Sequence, residues 1–240
     1  MRRALGAELS KLRTLPLTTY AAAGMVLVSA LIAAALAGLH AERGGTVPAV
    51  DAVLEAMPYA QAGAILLGVV PVAHEYAGRQ FTTTLIAAPR RMRVIVAKTC
   101  AAVVVLFLVG TLSVAVAWLS AELTHRASDA GGVAATAEDL ARLGGAIVYL
   151  VLIGVLAHAV TLVLRHLVPA LVSMLVVVYI LPFALTALGE HTRWLPTRAG
   201  SQLFAPDDAV LTALTGALVL LAWSVTIGVA GAARFTLSDA

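Results

Sequence analysis

Few residues of this chain have types that could do chemistry: His74-Glu75, the two lysines, His158 and Cys100. A His-Glu pair followed three residues later by a second histidine would put two zinc ligands and a general base on one helix face. Position 78 is glycine, however, and His166 restores no zinc-ligand spacing. A phosphate loop needs a glycine-rich run ending in Lys-Ser/Thr. Lys11 follows Glu8-Leu9-Ser10 and Lys98 follows Val96-Ala97, so neither lysine closes such a loop. The Gly-x-Ser-x-Gly nucleophile turn is also missing from the sequence. The chain is therefore not expected to be an enzyme. It offers no catalytic residue, metal ligand or cofactor site of its own, and any nucleotide chemistry must come from another chain. Cys100 cannot form an internal disulfide and reads as a small buried apolar residue.

The elements that must position these residues are set by composition. The chain has 240 residues, 61% of them hydrophobic and 12% charged, which excludes a soluble globular domain. Six uncharged runs, 17–39, 56–73, 99–121, 143–164, 167–189 and 209–233, are each 18–25 residues long. About 20 residues of helix cross the hydrocarbon of a bilayer, and lipid forces each segment to satisfy its own backbone. An all-α membrane protein with six transmembrane helices follows. No Asp or Glu falls within any run, and His158 is the ionisable residue well inside one. Its neutral ring suits either hydrogen-bonded packing or proton handling. Pro71 and Pro182 are expected to interrupt spans two and five.

With the N-terminus inside, eleven Lys/Arg lie on the inner side: Arg2, Arg3, Lys11, Arg13, Arg79, Arg90, Arg91, Arg93, Lys98, Arg165 and Arg234. Five lie outside: Arg43, Arg126, Arg142, Arg193 and Arg198. Three acids, Glu8, Glu75 and Asp239, share the inner side. This asymmetry predicts a multi-pass protein of the cell membrane with both termini cytoplasmic. The basic balance serves the inner face and its anionic lipids, with no nucleic acid as partner. The first run is longer than the 7–15 residues of a signal-peptide core and is taken as a span.

Residues 1–16 form a separate unit ahead of the transmembrane domain, 17–240. Leu5, Leu9, Leu12 and Leu15 recur at helical spacing among Arg2, Arg3, Lys11 and Arg13, and Pro16 closes the run. Such a helix is suited to lie in the headgroup plane; on charge alone, its cations anchor topology. Tyr20, Tyr59 and Trp118 fall near span ends, where amphipathic rings settle, whereas Trp223 falls mid-span and is expected to pack. Ser29, Ala33 and Ala37 on span one, and Ala222, Thr226 and Ala230 on span six, make small-residue faces suited to close helix packing. Residues 40–58 and 122–142 read as solvated connectors. In the outer segment 190–208, Trp194, Leu195, Ala199, Leu203 and Phe204 around Pro196 predict a short helix dipping back into the outer leaflet.

The cytoplasmic segment 75–98 is larger than a connection requires. Its first half, 79–88, carries Phe81, Leu85 and Ala88 at helical spacing; its second half, behind Pro89, carries Arg90, Arg91, Arg93 and Lys98. On charge alone it is a topogenic loop; on its apolar face it is a surface for a partner.

Three stretches together resemble one family. Glu75-Tyr76-Ala77-Gly78-Arg79-Gln80, Thr82-Thr83-Thr84-Leu85, Pro89-Arg90-Arg91 and Lys98 resemble the segment after span two of ABC-2 type exporter permeases. Glu8-Leu9, then Lys11-Leu12-Arg13-Thr14, is similar to the start of that family, an interfacial elbow helix. Leu195-Pro196 with Ala199-Gly200 is similar to its re-entrant segment before the last span. The likeness covers the whole chain, in an alanine-rich style similar to actinobacterial members. It implies a permease subunit of an ATP-binding cassette exporter, pairing with a second copy of itself as a homodimer, and with two copies of a separate ATPase subunit that holds ATP and Mg. It also implies a coupling helix over residues 79–88 docking through Phe81 and Leu85, with Glu75 and Gly78 setting its start and Pro89 its end. Members with Gly-Thr differ here, where Arg79 follows Gly78. The apolar pathway implies a hydrophobic or amphipathic cargo, and no substrate-binding residue is assigned. A non-transporting membrane scaffold that recruits a cytoplasmic partner, and an intramembrane enzyme using His74, Glu75 and His158, are the alternatives.

Overall fold

The computed structural model describes residues 6, 8, 10, 15–43, 48–77, 91–128, 134–185, 191–207 and 211–237. Pro16 opens α1 (Pro16–Glu42) at the position where a missing N–H leaves no hydrogen bond unmade. There follow α2 (Ala49–Glu55), α3 (Met57–Ala77), α4 (Arg91–Ala127) and α5 (Ala137–Leu164). α6 (Leu167–Leu175) passes through a π-helical turn, Val176–Ile180, into α7 (Leu181–Ala184); α8 (Pro196–Ser201) and α9 (Ala213–Leu237) complete the order. Six helices are long and apolar enough to cross a membrane: Pro16–Glu42, Met57–Tyr76, Val94–Ala127, Ala137–Leu164, Leu167–Ala184 and Ala213–Arg234. Large apolar side chains such as Leu31, Leu108, Phe183 and Leu214 point outward, a surface that suits lipid and not water.

Helix ends follow local chemistry. The Thr136 hydroxyl accepts the Asp139 N–H at 3.2 Å while the Asp139 carboxylate accepts the Thr136 N–H at 2.9 Å, a capping box that starts α5 six residues before the uncharged run. α5 ends at Arg165, whose φ of 60° is the left-handed conformation usually left to glycine. The two expected proline breaks behave differently. α3 continues through Pro71, whereas at Pro182 the missing N–H is accommodated by the adjacent π-helical turn.

α3 and α5 form the centre of the bundle and are the most buried of the six long helices. They approach so closely that a Cβ on Gly68 would lie 2.2 Å from the Gly154 carbonyl oxygen. α1 buries Met25, Ser29, Ala33 and Ala37, one stripe at four-residue spacing, and the Ser120 hydroxyl of α4 donates to the Ala30 carbonyl at 2.9 Å. The matching stripe of α9, Ala222, Thr226 and Ala230, stays exposed. Two expectations are corrected here. The connector 40–58 is not simply solvated: α2 buries Ala49, Val50, Ala52, Val53 and Leu54 against α1 and α4. Cys100 is exposed on α4.

The segment 191–204 packs deep between α5 and α9. The Trp223 indole N–H donates to the Trp194 carbonyl at 3.1 Å. Trp223 is ten residues into α9, about 15 Å along its axis. Glycines permit this packing: a Cβ on Gly216 would lie 2.1 Å from the Ala199 oxygen, and one on Gly145 would lie 1.8 Å from the Leu203 oxygen. Neighbouring Gly144 has open space around it. Gly145→Ala should therefore destabilise the protein by about 1–3 kcal/mol through overpacking. Gly144→Ala should stabilise it by up to about 1 kcal/mol through helix propensity. Unfolding of the two variants in detergent checks the contrast.

Candidate functional site

Lys98 sits in the second turn of α4 with its side chain buried. Its ammonium donates to Glu75 Oε1 at 2.6 Å and to Glu8 Oε2 at 2.8 Å. Relative exposures of 5% for Lys98 and 7% for each glutamate place all three charges out of water. Glu75 lies in the last turn of α3, where the helix dipole disfavours a carboxylate and the neighbouring ammonium offsets it. Glu8 comes from the helical residues before α1. One ammonium thus joins the N-terminal segment, the end of α3 and the start of α4, and each of these residues also engages further groups.

The neighbouring helix ends are tied by arginines. Arg165 Nη2 donates to the Arg234 carbonyl at 3.0 Å, and Arg234 Nη1 donates to the Val163 carbonyl at 2.7 Å. The Arg165 guanidinium also lies 5.7 Å from the centre of the Tyr76 ring. These contacts account for the strained backbone at Arg165: the residue there is used by three helices. Lys98, Arg165 and Arg234 are expected as topology signals, and all three serve as ties between helices.

One residue past Lys98, the Thr99 hydroxyl and His158 Nε2 are 3.3 Å apart, so His158 of α5 has a hydrogen-bonded packing position. Both line an apolar cavity of about 430 Å³ between α4, α5 and α9, with Cys100, Ser224 and Gly228 also on its wall. At the opposite end of the bundle, Arg142 reaches Asp51 at 3.0 Å, Asp139 at 3.5 Å and the Phe204 carbonyl at 3.3 Å. It thereby links α2, α5 and the segment after α8.

Of the residues singled out from sequence, Glu8 and Glu75 meet through Lys98. Residues 75–77 belong to α3, and residues 91–98, beginning with Arg91, belong to α4. Gly78, Arg79, Gln80, Phe81, Leu85, Pro89 and Arg90 lie outside the described residues, as do Lys11, Leu12 and Arg13. Leu195 caps α8, Pro196 opens it and Ala199 is buried on it, all remote from Lys98 along the bundle. Sequence reasoning missed the sharing of Lys98. The available signal was that Glu8 and Glu75 are two of only three acids on the side that the sequence predicts to be strongly basic.

Fold and composition define a multi-pass helical membrane protein. No protein-family model matches the chain, and no curated protein matches it.

Removing the shared cation would leave two buried carboxylates facing each other. Lys98→Ala should destabilise the protein by about 3–5 kcal/mol, the usual effect of deleting one partner of a buried ion pair. Replacing Glu8, Glu75 and Lys98 together by Gln, Gln and Met should be much milder, because no member of the buried cluster then carries an unmatched charge. Denaturant unfolding of the purified variants checks this order.

Proposed function

We propose that this chain is the membrane subunit of an ATP-driven exporter of the ABC-2 type. Two copies pair in the cytoplasmic membrane with both termini inside. Each copy carries a separate ATPase subunit that supplies ATP and Mg chemistry, and the cargo is hydrophobic or amphipathic. The observation that carries this reading is the shared ammonium of Lys98, which binds Glu75 and Glu8. α3 ends at Ala77 and α4 begins at Arg91, so the segment with Phe81 and Leu85 leaves and re-enters the bundle beside that knot.

The mechanical argument is direct. A partner that pushes on residues 78–90 acts on the ends of α3 and α4, which are locked to each other and to the N-terminal segment. α3 packs against α5 through Gly68 and Gly154, where neither helix can slip without a clash. Displacement at the Lys98 end is therefore passed to the centre of the bundle as a body movement. The sequence has no phosphate loop and no Asp or Glu within its six uncharged runs, which favours this segment as the place where energy enters. The resemblance of the same stretch to the coupling segment of ABC-2 permeases supports the same assignment, with 1–16 as elbow and 190–208 as re-entrant segment.

Replacing Phe81 and Leu85 by Asp should remove a copurifying ATPase while membrane insertion and melting temperature stay at the native level. Loss of an apolar face from a helix-in-groove contact reduces binding by about 100-fold or more. ATPase retained at native stoichiometry would refute the docking face. A wild-type chain that copurifies with no ATPase would instead support a scaffold.

A further inference from the structure

At the end of the bundle away from Lys98, a second cavity of about 400 Å³ is bounded by α2, α3, α5, the π-helical turn, α7 and α8. Its wall is mainly apolar, with Leu54, Met57 and Val178 along it, and a few polar groups converge on it. Such a composition is typical of a ligand site and unlike a packing defect. Most of its polar groups already have partners: the Tyr149 hydroxyl donates to Gln61 Oε1, and the Tyr179 hydroxyl donates to the Pro58 carbonyl. Three do not end that way. The Thr197 hydroxyl is buried without a hydrogen-bond partner. Arg198 has no acidic partner among the described residues. Glu55 offers one oxygen to His40 at 3.4 Å, leaving the other open.

We infer that this cavity is a binding site for a zwitterionic amphiphile. Its acidic group would pair with Arg198, its ammonium with Glu55 and a polar linkage with Thr197, while its hydrocarbon lies along Leu54, Met57 and Val178. A buried hydroxyl without a partner costs about 1–3 kcal/mol, a penalty that a bound polar group removes. Opposite charges lining one cavity select a ligand that carries both. Asp51 and Asp139 are engaged by Arg142, so Glu55 is the acid facing the cavity and disfavours a purely anionic headgroup. The exposed apolar flank of the π-helical turn and α7, with Val176, Ile180 and Phe183 outward, gives a lipid-borne chain a route in. Binding here needs neither an ATPase nor transport, so it stands or falls separately from the exporter reading.

The full chain, purified in detergent, is titrated with dioleoylphosphatidylethanolamine and with dioleoylphosphatidylglycerol, and bound lipid is counted by native mass spectrometry. One ethanolamine lipid should bind per chain about tenfold more tightly than the glycerol lipid, the effect of one charge-assisted contact. Arg198→Ala should weaken the ethanolamine lipid by about tenfold, and Glu55→Gln should bring the two lipids within about threefold of each other. Thr197→Val, which keeps shape and removes the hydroxyl, should weaken it by a smaller factor. Equal binding of both lipids by the native chain, or ethanolamine binding unchanged in Arg198→Ala and Glu55→Gln, would overturn the site. Displacement by glycerophosphoethanolamine as effectively as by the whole lipid would overturn the assignment of an amphiphile. Both charged side chains are solvent-accessible, so melting temperatures should stay within about 2 °C of native, as for most surface changes.

Discussion

The constraint on which the rest of this structure depends is electrostatic: a single ammonium, out of water, serves two carboxylates from distant parts of the chain. Burying three charges is unfavourable unless each finds its partner, so this contact disciplines more than it stabilises. It is satisfied only when the N-terminal segment, the last turn of α3 and the second turn of α4 are all in place. An apolar cluster could tolerate a shifted helix; this knot cannot. The arginines beside it extend the same logic, with each guanidinium meeting carbonyls at the end of another helix. The cytoplasm-facing end proposed for the bundle is therefore polar, interlocked and specific in register.

The middle of the bundle is held by a different force. Between lipid-soluble helices apolar burial gives little preference for protein over lipid, and close van der Waals approach takes its place. Gly63 against Met25, Gly68 against Gly154 and Gly216 against Ala199 are positions where a single added carbon would collide. These contacts make the core rigid, and a rigid core is what lets a force at one end be felt at the other. The 191–204 segment uses the same device to enter between α5 and α9, with the Trp223–Trp194 hydrogen bond satisfying a carbonyl at that depth.

Much of the fold was legible because hydropathy and length report directly on a hydrocarbon slab. Each of the six expected spans overlaps a helical stretch long and apolar enough to cross a membrane. Their limits were less legible, since hydropathy marks the crossing and not the helix: α4 begins at Arg91, ahead of the run that starts at Thr99, and carries its cations with it. α2 was hidden because seven residues are too few for a period to show, and Asp51 and Glu55 disguised its buried face. The two small-residue stripes look alike in sequence, yet α1 buries its stripe and α9 does not. Periodicity identifies a face and not its neighbour. Lys98 is the same case in charge: its position made it a topology signal, and only the meeting of Glu8 and Glu75 around it made it a structural centre.

The buried contact between Lys98 and Glu75 is tested most directly by a double-mutant cycle in detergent, with unfolding free energies for the native chain, Lys98→Met, Glu75→Gln and the pair. Coupling through the buried contact predicts an interaction energy above about 1.5 kcal/mol, with the double variant less destabilised than the sum of the two single variants. Additivity within about 0.5 kcal/mol would mean that the two side chains do not depend on each other, and would contradict the account.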